Sequence, residues 1–377
     1  MTNDNKLHII IVGGGIAGLT AAIALRASNR KITVLEQSRL SREIGALISL
    51  QPNASRILRK TWKLDKEMEE ARGLVDEGMR IYDVDGKLVN EIPLLSKTEY
   101  GGDRIVWHRN DLHTALKSAA TSPNRGGDPA TIQVASRVTS CDPVEGNVTL
   151  ESGEVLTADV IIGADGIALR KYVLNDEPAA MPTGSSERMN EDPNSGESWV
   201  SEGSMEKMME IFAEFPSWVS NIFKHSANIG LWQLRDMDPL ATWVQGRVIL
   251  IGDAAHPMLP TQGQGASQSI EDAEALGAFF EDVQKAPSLE QLDNIFKQVF
   301  QSRYERVSII QGASRQAAKP GTKKGEKTVT MYTTLETNSI VNSLIEFLIR
   351  SPADSMDYNC TYRGAKQWVH SQAGSAV

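Results

Sequence analysis

Cysteine is scarce in this chain. Its 377 residues hold two, Cys141 and Cys360. Two thiols build neither a disulfide framework nor a cysteine metal site, and no His/Cys/carboxylate group has ligand spacing, so no metal is expected. A basic surplus is also missing. Lys and Arg number 39 against 48 Asp and Glu, a formal net charge of −9, which argues against the electropositive face that nucleic acid requires. No apolar run reaches the length of a membrane span, so no obligatory span is expected. Residues Met1 to Leu7 are polar and carry no signal segment, so the expected location is cytoplasmic, with both thiols buried or idle. Ile340 to Ile349 is apolar enough for a membrane-surface helix, but a helix covering the core has the same pattern. The remainder, 41% hydrophobic and 23% charged, is ordinary for a soluble protein with one large core or two moderate ones.

What the chain does have is glycine at chosen places. Val248 to Ile251 is an apolar strand that runs into Gly252-Asp253. A turn rich in proline and glycine follows, then a helix opening at Gly265-Ala266. A carboxylate at a strand end can hold a polyol hydroxyl. Glycines at 263 and 265 let a flat ligand approach the backbone. The helix start offers unpaired N–H groups and partial positive charge. Such a seat suits an electron-poor ring that becomes anionic on reduction, and a flavin is the expected ring.

The amino terminus supplies the other half. Ile9-Ile10-Ile11-Val12 reads as a strand buried on both faces. Gly13, Gly15 and Gly18 follow in the G-x-G-x-x-G spacing, and Ile16, Leu19 and Ile23 form the stripe of a helix. Strand, glycine turn and helix are the context in which a pyrophosphate meets a helix N-terminus. A second strand, Ile32 to Leu35, ends at Glu36, a carboxylate placed to accept from ribose hydroxyls.

Further along, Met79 to Ile92 reads as a hairpin turning at Asp85-Gly86. A helix is expected within the stretch from Ile105 to His113. Strands are expected over 131–139, 147–150 and Val160 to Ile162, the last ending in Gly163-Ala164-Asp165-Gly166. Pro178 to Glu197 has the composition of an irregular segment. A helix is expected from Met205 to Phe215, another from Gly265 to about Val283, and mostly helix beyond. Trp218, Trp232 and Trp243 read as core residues, and Tyr82 and His225 as packing or surface positions.

Taken in order, Gly13-x-Gly15-x-x-Gly18, Gly163-Ala164-Asp165-Gly166 and Gly252-Asp253 resemble the three fingerprints of the group A flavoprotein monooxygenases, the single-component aromatic hydroxylases. Leu50-Gln-Pro-Asn-Ala54, His108-Arg109-Asn-Asp-Leu-His113 and Pro257-Met-Leu-Pro260 bring the chain near the salicylate-hydroxylase-like branch found among fungal natural-product enzymes. The resemblance implies an α/β fold: a Rossmann-like FAD-binding domain (1–75, 100–172 and 240–315), a smaller β-sheet substrate domain (76–99 and 173–239), and a helical C-terminal region (316–377). It also implies roles. Gly13, Gly15 and Gly18 would cradle the pyrophosphate, Glu36 the adenosine ribose, Ala46 the flavin through its backbone, Arg109 the phosphate or ribityl region, and Asp253 a ribityl hydroxyl. Gly265 and Ala266 would offer N–H groups to the ring, and Asp165 belongs to the motif tied to both FAD and the nicotinamide cofactor. His256, in the flavin-facing loop, reads as a helix-capping or loop-packing residue, with acid–base work as the weaker alternative.

The implied reaction consumes NADPH or NADH and O2. The reduced flavin forms a hydroperoxide that passes one oxygen to a small aromatic or polyketide-type substrate, as in secondary metabolism, and the other oxygen leaves as water. Three departures stand out. Leu47 replaces a glycine of the family's flavin loop. Leu169 and Tyr172 replace a serine and an arginine after Gly166. The segment between Asp165 and Asp253 is shorter than the family carries, as an internal deletion in the substrate sheet would make it. An FAD-binding relative with impaired or uncoupled activity is therefore the alternative, and a plain nicotinamide dehydrogenase a third. Oligomeric state is open at this level.

Overall fold

The computed structural model describes residues 6–39, 47–83, 85–166, 169–174, 200–226, 229–232, 234, 236–318 and 352–367. Ala46, the irregular segment at 178–197 and the apolar stretch at 340–349 lie outside the described residues. At its centre stands a six-stranded sheet in the order Val244–Gln245, Val248–Leu250, Val160–Gly163, Leu7–Val12, Arg30–Leu35 and Thr131–Gln133. All neighbours pair in parallel except the first two, which make an antiparallel edge.

The apolar run at the amino terminus explains why the sheet is buried on both faces. Side chains alternate across a strand, so Ile9 and Ile11 enter a core with Leu19, Val34 and Leu276, while Ile10 and Val12 enter one with Ile161, Trp243 and Leu250. Two helices cover the first face, Ile16–Ala24 and Gly265–Phe280. They meet closely at Gly277, where a Cβ would lie 3.0 Å from the Ala24 carbonyl oxygen.

Three smaller sheets flank this layer. Leu47–Leu50 and Leu74–Val75 both pair antiparallel with Ile105–His108. Val138–Asp142, Asn147–Leu150 and Val155–Thr157 form a meander. The expected hairpin is Gly78–Tyr82 paired with Leu88–Pro93. A further two-stranded ribbon joins Val200–Glu202 to Gly230–Trp232. The long helix Leu289–Ala317, opened by a Ser288/Gln291 capping box, crosses behind Gly265–Phe280. Among the described residues, no helix is long and apolar enough to cross a membrane.

Several local expectations are corrected. The stretch 131–139 is two strands in two sheets. Ala135, at φ +54°, turns the chain, and the N–H groups of Ala135 and Ser136 reach back to the carbonyls of Ser38 and Glu36. The helix from Met205 stops at Ile211, and a second, Ser217–Lys224, begins after Pro216, which disfavours helical geometry in the residue before it. Trp218 is not core but 48% exposed. It packs edge-on against Tyr82 at 5.6 Å and ties its helix to the hairpin. Trp243 is buried as expected, His225 is exposed, and the Trp232 side chain lies outside the description.

Candidate functional site: a cradle along the sheet edge

The glycine turn after the first strand is shaped by close approaches on one side and open space on the other. Gly13 sits at φ +107°, and a Cβ there would overlap the Ala164 carbonyl. At Gly18 a Cβ would overlap the Gly13 carbonyl oxygen, so only glycine lets the helix pack on the strand. Gly15 faces the other way, with nothing within 4 Å of a built Cβ. That empty side lies at the start of the Ile16–Ala24 helix, where no side-chain hydrogen bond caps the N-terminus. Unpaired N–H groups beside an open space are what a pyrophosphate occupies.

Glu36 closes one end of this cradle. Its Oε2 accepts the Gly14 N–H at 2.8 Å and its Oε1 the Ser38 N–H at 2.7 Å. The carboxylate is thereby fixed beside the turn. Sequence reasoning missed the matching contact from the opposite side. His113, buried in the Arg109–Thr121 helix, donates from Nε2 to the Gly14 carbonyl at 2.7 Å. Its i+4 spacing from Arg109, the first residue of that helix, was the available signal.

Asp165 follows Ala164 at the end of the Val160–Gly163 strand, against Gly13. Its Oδ2 accepts the Leu169 N–H at 3.1 Å, and its buried Oδ1 has no hydrogen-bond partner among the described residues. Burial pushes its pKa up to about 6, although backbone N–H donors and Arg170 pull the other way. Arg170 is itself buried, and burial lowers its pKa to about 10 against the pull of Asp165 and Asp253.

The second motif forms the other end. Gly252–Ala254 is a short 3-10 turn, with Gly252 at φ +57°. Asp253 keeps solvent access, yet protein surrounds it closely enough that desolvation raises its pKa against the opposing charges of His256, Arg170 and Arg109. Asp253 is thus an exposed residue with protein packed closely around it. Gly265 and Ala266 open the Gly265–Phe280 helix, whose N-cap Gln264 makes no side-chain cap. A Cβ on Gly265 would find its nearest contact at Met258, 4.0 Å away. The facing strand, Leu47–Leu50, and the residue after it bring Ser49 and Gln51 to within 3.2 and 3.1 Å of a Cβ built on Gly263. Leu47, where the family has glycine, is 80% exposed.

His256 is not presented to the surface beside Asp253. It is 1% exposed, with its Nε2 on Asp272 at 2.6 Å and its ring 5.1 Å from that of Trp243. The packing reading describes its surroundings, and acid–base work has no support in its position. Behind it lies a buried ionic cluster that the sequence did not announce. Arg303 and Arg306, one turn apart on the long helix, bind Glu271 and Asp272 on the Gly265–Phe280 helix. Asn53 joins Glu271 at 2.5 Å. Despite desolvation, the charges of His256 and Arg303 hold Asp272 down at about 2.

The residues therefore fit an elongated dinucleotide with a ring at its end. The glycine side of one cradle and the helix start of the other are open where a Cβ would fill them, and Glu36 and Asp165 lie against the first. Among the described residues no His/Cys/Asp/Glu group could hold a metal ion.

Comparison with known proteins agrees with this geometry. Residues 220–293 match an FAD binding domain family, and residues 11–42 an NAD(P)-binding Rossmann-like domain family. An FAD-dependent monooxygenase of Diaporthe leptostromiformis, phomE', is 30% identical over 339 residues, spanning 74% of this chain and 84% of that one. Hispidin-3-hydroxylase of Neonothopanus nambi is 28% identical over 371 residues, 81% and 87% of the two chains. Among solved structures, CtdE in complex with FAD and a substrate superposes with a TM-score of 0.71 at 21% identity over 98% of each chain. Klebsiella pneumoniae HpxO complexed with FAD and uric acid gives 0.69 at 22% over 94% and 96%.

Proposed function

The chain belongs to the FAD-dependent monooxygenases, and we propose that it oxygenates a small aromatic or polyketide-like substrate with FAD held along the two glycine cradles. Bound FAD would supply the redox chemistry, accepting a hydride from NADPH or NADH and activating O2, with one oxygen atom going to substrate and the other to water. The chain's own residues bind and orient the cofactor. Gly13, Gly15 and Gly18 leave the open side for the pyrophosphate. Glu36, already held by the Gly14 and Ser38 N–H groups, faces the adenosine ribose. Arg109 and Asp253 serve the phosphate and ribityl region, with Asp165 beside the glycine turn and Ala46 contributing backbone. The helix start at Gly265 and Ala266 presents N–H groups and positive potential to the ring, favouring its reduced, anionic form.

The domain division supporting this reading assigns 1–75, 100–172 and 240–315 to FAD, 76–99 and 173–239 to substrate, and 316–377 to the helical C-terminal region. What carries this reading is the uncapped helix start at Gly265, on a helix that packs against the turn bearing the exposed Asp253. Asp253→Ala tests it. FAD affinity should fall roughly 10–100-fold, the worth of a hydrogen bond to a charged group, read from flavin content and fluorescence titration. Unchanged flavin content would defeat the assignment.

One observation favours the alternative of uncoupled turnover. In the hairpin Gly78–Tyr82/Leu88–Pro93 nearly every residue on both strands is exposed, so among the described residues the Ser217–Lys224 helix, which meets it at Tyr82, covers it only in part. Without a sealed site, reducing equivalents pass to peroxide. Oxygen uptake with NAD(P)H, assayed for peroxide with and without candidate phenols, should show more peroxide than product unless a substrate completes the enclosure.

A further inference from the structure

Asp253 stands between two residues that share a single acceptor. Gly252 gives its backbone N–H to Asp272 Oδ2 at 2.9 Å, and His256 gives its Nε2–H to the same oxygen at 2.6 Å. The other oxygen of Asp272 accepts the Arg303 Nε–H at 2.9 Å. Arg303 is in turn held by Glu271 and Gln268. All of these side chains are buried, so the shared carboxylate is fixed from behind by a charge that cannot swing away.

On the opposite side Arg170 donates to the carbonyls of Asp253 at 2.8 Å and Ala254 at 2.9 Å. The turn is thus tied at the N–H before Asp253, at the two carbonyls that follow, and at the side chain three residues on. A 3-10 turn of three residues holds little rigidity of its own. The direction of the Asp253 carboxylate is therefore set by these ties.

We infer that Asp272, acting through His256 and the Gly252 N–H, and Arg170, acting through the two carbonyls, are positioning residues that orient Asp253 toward FAD. The inference rests on the reading of Asp253 as a cofactor-binding residue. It also gives His256 a task other than proton transfer. His256 closes the loop onto the buried ionic cluster, and its ring needs an N–H on Nε2 to do so.

The test measures FAD affinity of the apoprotein by flavin fluorescence for His256→Phe, His256→Gln, Asp272→Asn and Arg170→Met. Each is made in the parent chain and in the Asp253→Ala background. The visible circular dichroism of bound flavin and the thermal unfolding of each apoprotein accompany the titrations. In the parent chain, His256→Phe, Asp272→Asn and Arg170→Met should weaken FAD roughly tenfold and alter the flavin dichroism. His256→Gln, which keeps a terminal N–H donor, should recover most of the loss. In the Asp253→Ala background the same changes should add almost nothing, because the group they act through is gone.

Equal weakening in both backgrounds would overturn the inference, as would full affinity in His256→Phe. Asp253→Ala without effect would instead sink the assignment of Asp253 and the inference with it, so the two failures are distinguishable. If Asp272→Asn does not fold, the two His256 variants decide the matter, since phenylalanine retains the packing on Trp243.

Discussion

Asp165 shows how burial at one residue becomes a property of the chain. One oxygen has the Leu169 N–H and the other has no partner among the described residues, and burial raises the pKa to about 6 from 3.8. The sign of the linkage follows. Well below pH 3.8 the folded and unfolded chains both carry the neutral acid. Between 3.8 and about 6 the unfolded chain releases its proton while the folded chain still holds it, so the folded state loses stability as pH rises across that window. Asp165→Asn removes the ionisation while keeping an acceptor for Leu169. In the apoprotein the variant should be more stable than wild type by about 1–3 kcal/mol at pH 7.5. The difference should shrink to about 0.5 kcal/mol near pH 4. Urea unfolding at the two pH values checks this, and a variant that is weaker at pH 7.5 would refute it. Asp272 is the opposite case. Its lowered pKa adds stability that is present above pH 3.8 and fades only as pH falls through about 2.

At the scale of the element, the glycine turn divides its residues into those that build the fold and those that serve the ligand. Gly18 touches the Gly13 carbonyl, whereas Gly15 faces open space. Gly18→Ala should therefore overpack the contact between helix and strand and cost about 1–3 kcal/mol or more in thermal or urea unfolding. Gly15→Ala should leave apoprotein stability nearly unchanged yet weaken FAD binding, because the added methyl fills the space reserved for the pyrophosphate. Should both variants fold and bind alike, the division is wrong. The Gly265–Phe280 helix serves both purposes along its length. Its first residue has open space around it, while Glu271 and Asp272, two turns on, carry the ionic cluster.

At the scale of the whole molecule, that cluster draws together segments far apart in the chain. Arg306 binds Glu271 and also donates to the carbonyls of Tyr358 and Asn359 at 2.9 and 2.8 Å. Tyr362 gives its hydroxyl to Glu274 at 2.7 Å, and Arg56 donates to the carbonyls of Tyr100 and Tyr362. Amino-terminal, central and carboxy-terminal parts thus meet behind the cofactor cradle. Buried charges stripped of one partner are costly, so Tyr358, Asn359 and Tyr362 are bound into the same buried network as the Gly265–Phe280 helix. Tyr362→Phe leaves Glu274 with the Ala365 N–H and should lower stability by about 1.5–3 kcal/mol, measured by urea unfolding. A loss below a few tenths would show that the carboxy-terminal contact adds little.

By itself the sequence determined the parallel sheet, the two cradles and the family. Those features depend on near neighbours: apolar runs that must be buried, glycines that only certain turns require, and carboxylates at strand ends. The hairpin at Asp85-Gly86 was legible for the same reason. Only the tertiary structure decided the buried place of His256 on Asp272, the exposed place of Trp218, the division of 131–139 between two sheets, and the hold of His113 on Gly14. Each depends on a partner distant in the chain, such as Asp272 for His256 or Glu36 and Ser38 for the turn at Ala135. The ionic cluster of Arg303 and Arg306 was hidden for a further reason. On a helix those residues look like ordinary solvated charges, and only burial between two packed helices turns them into structure.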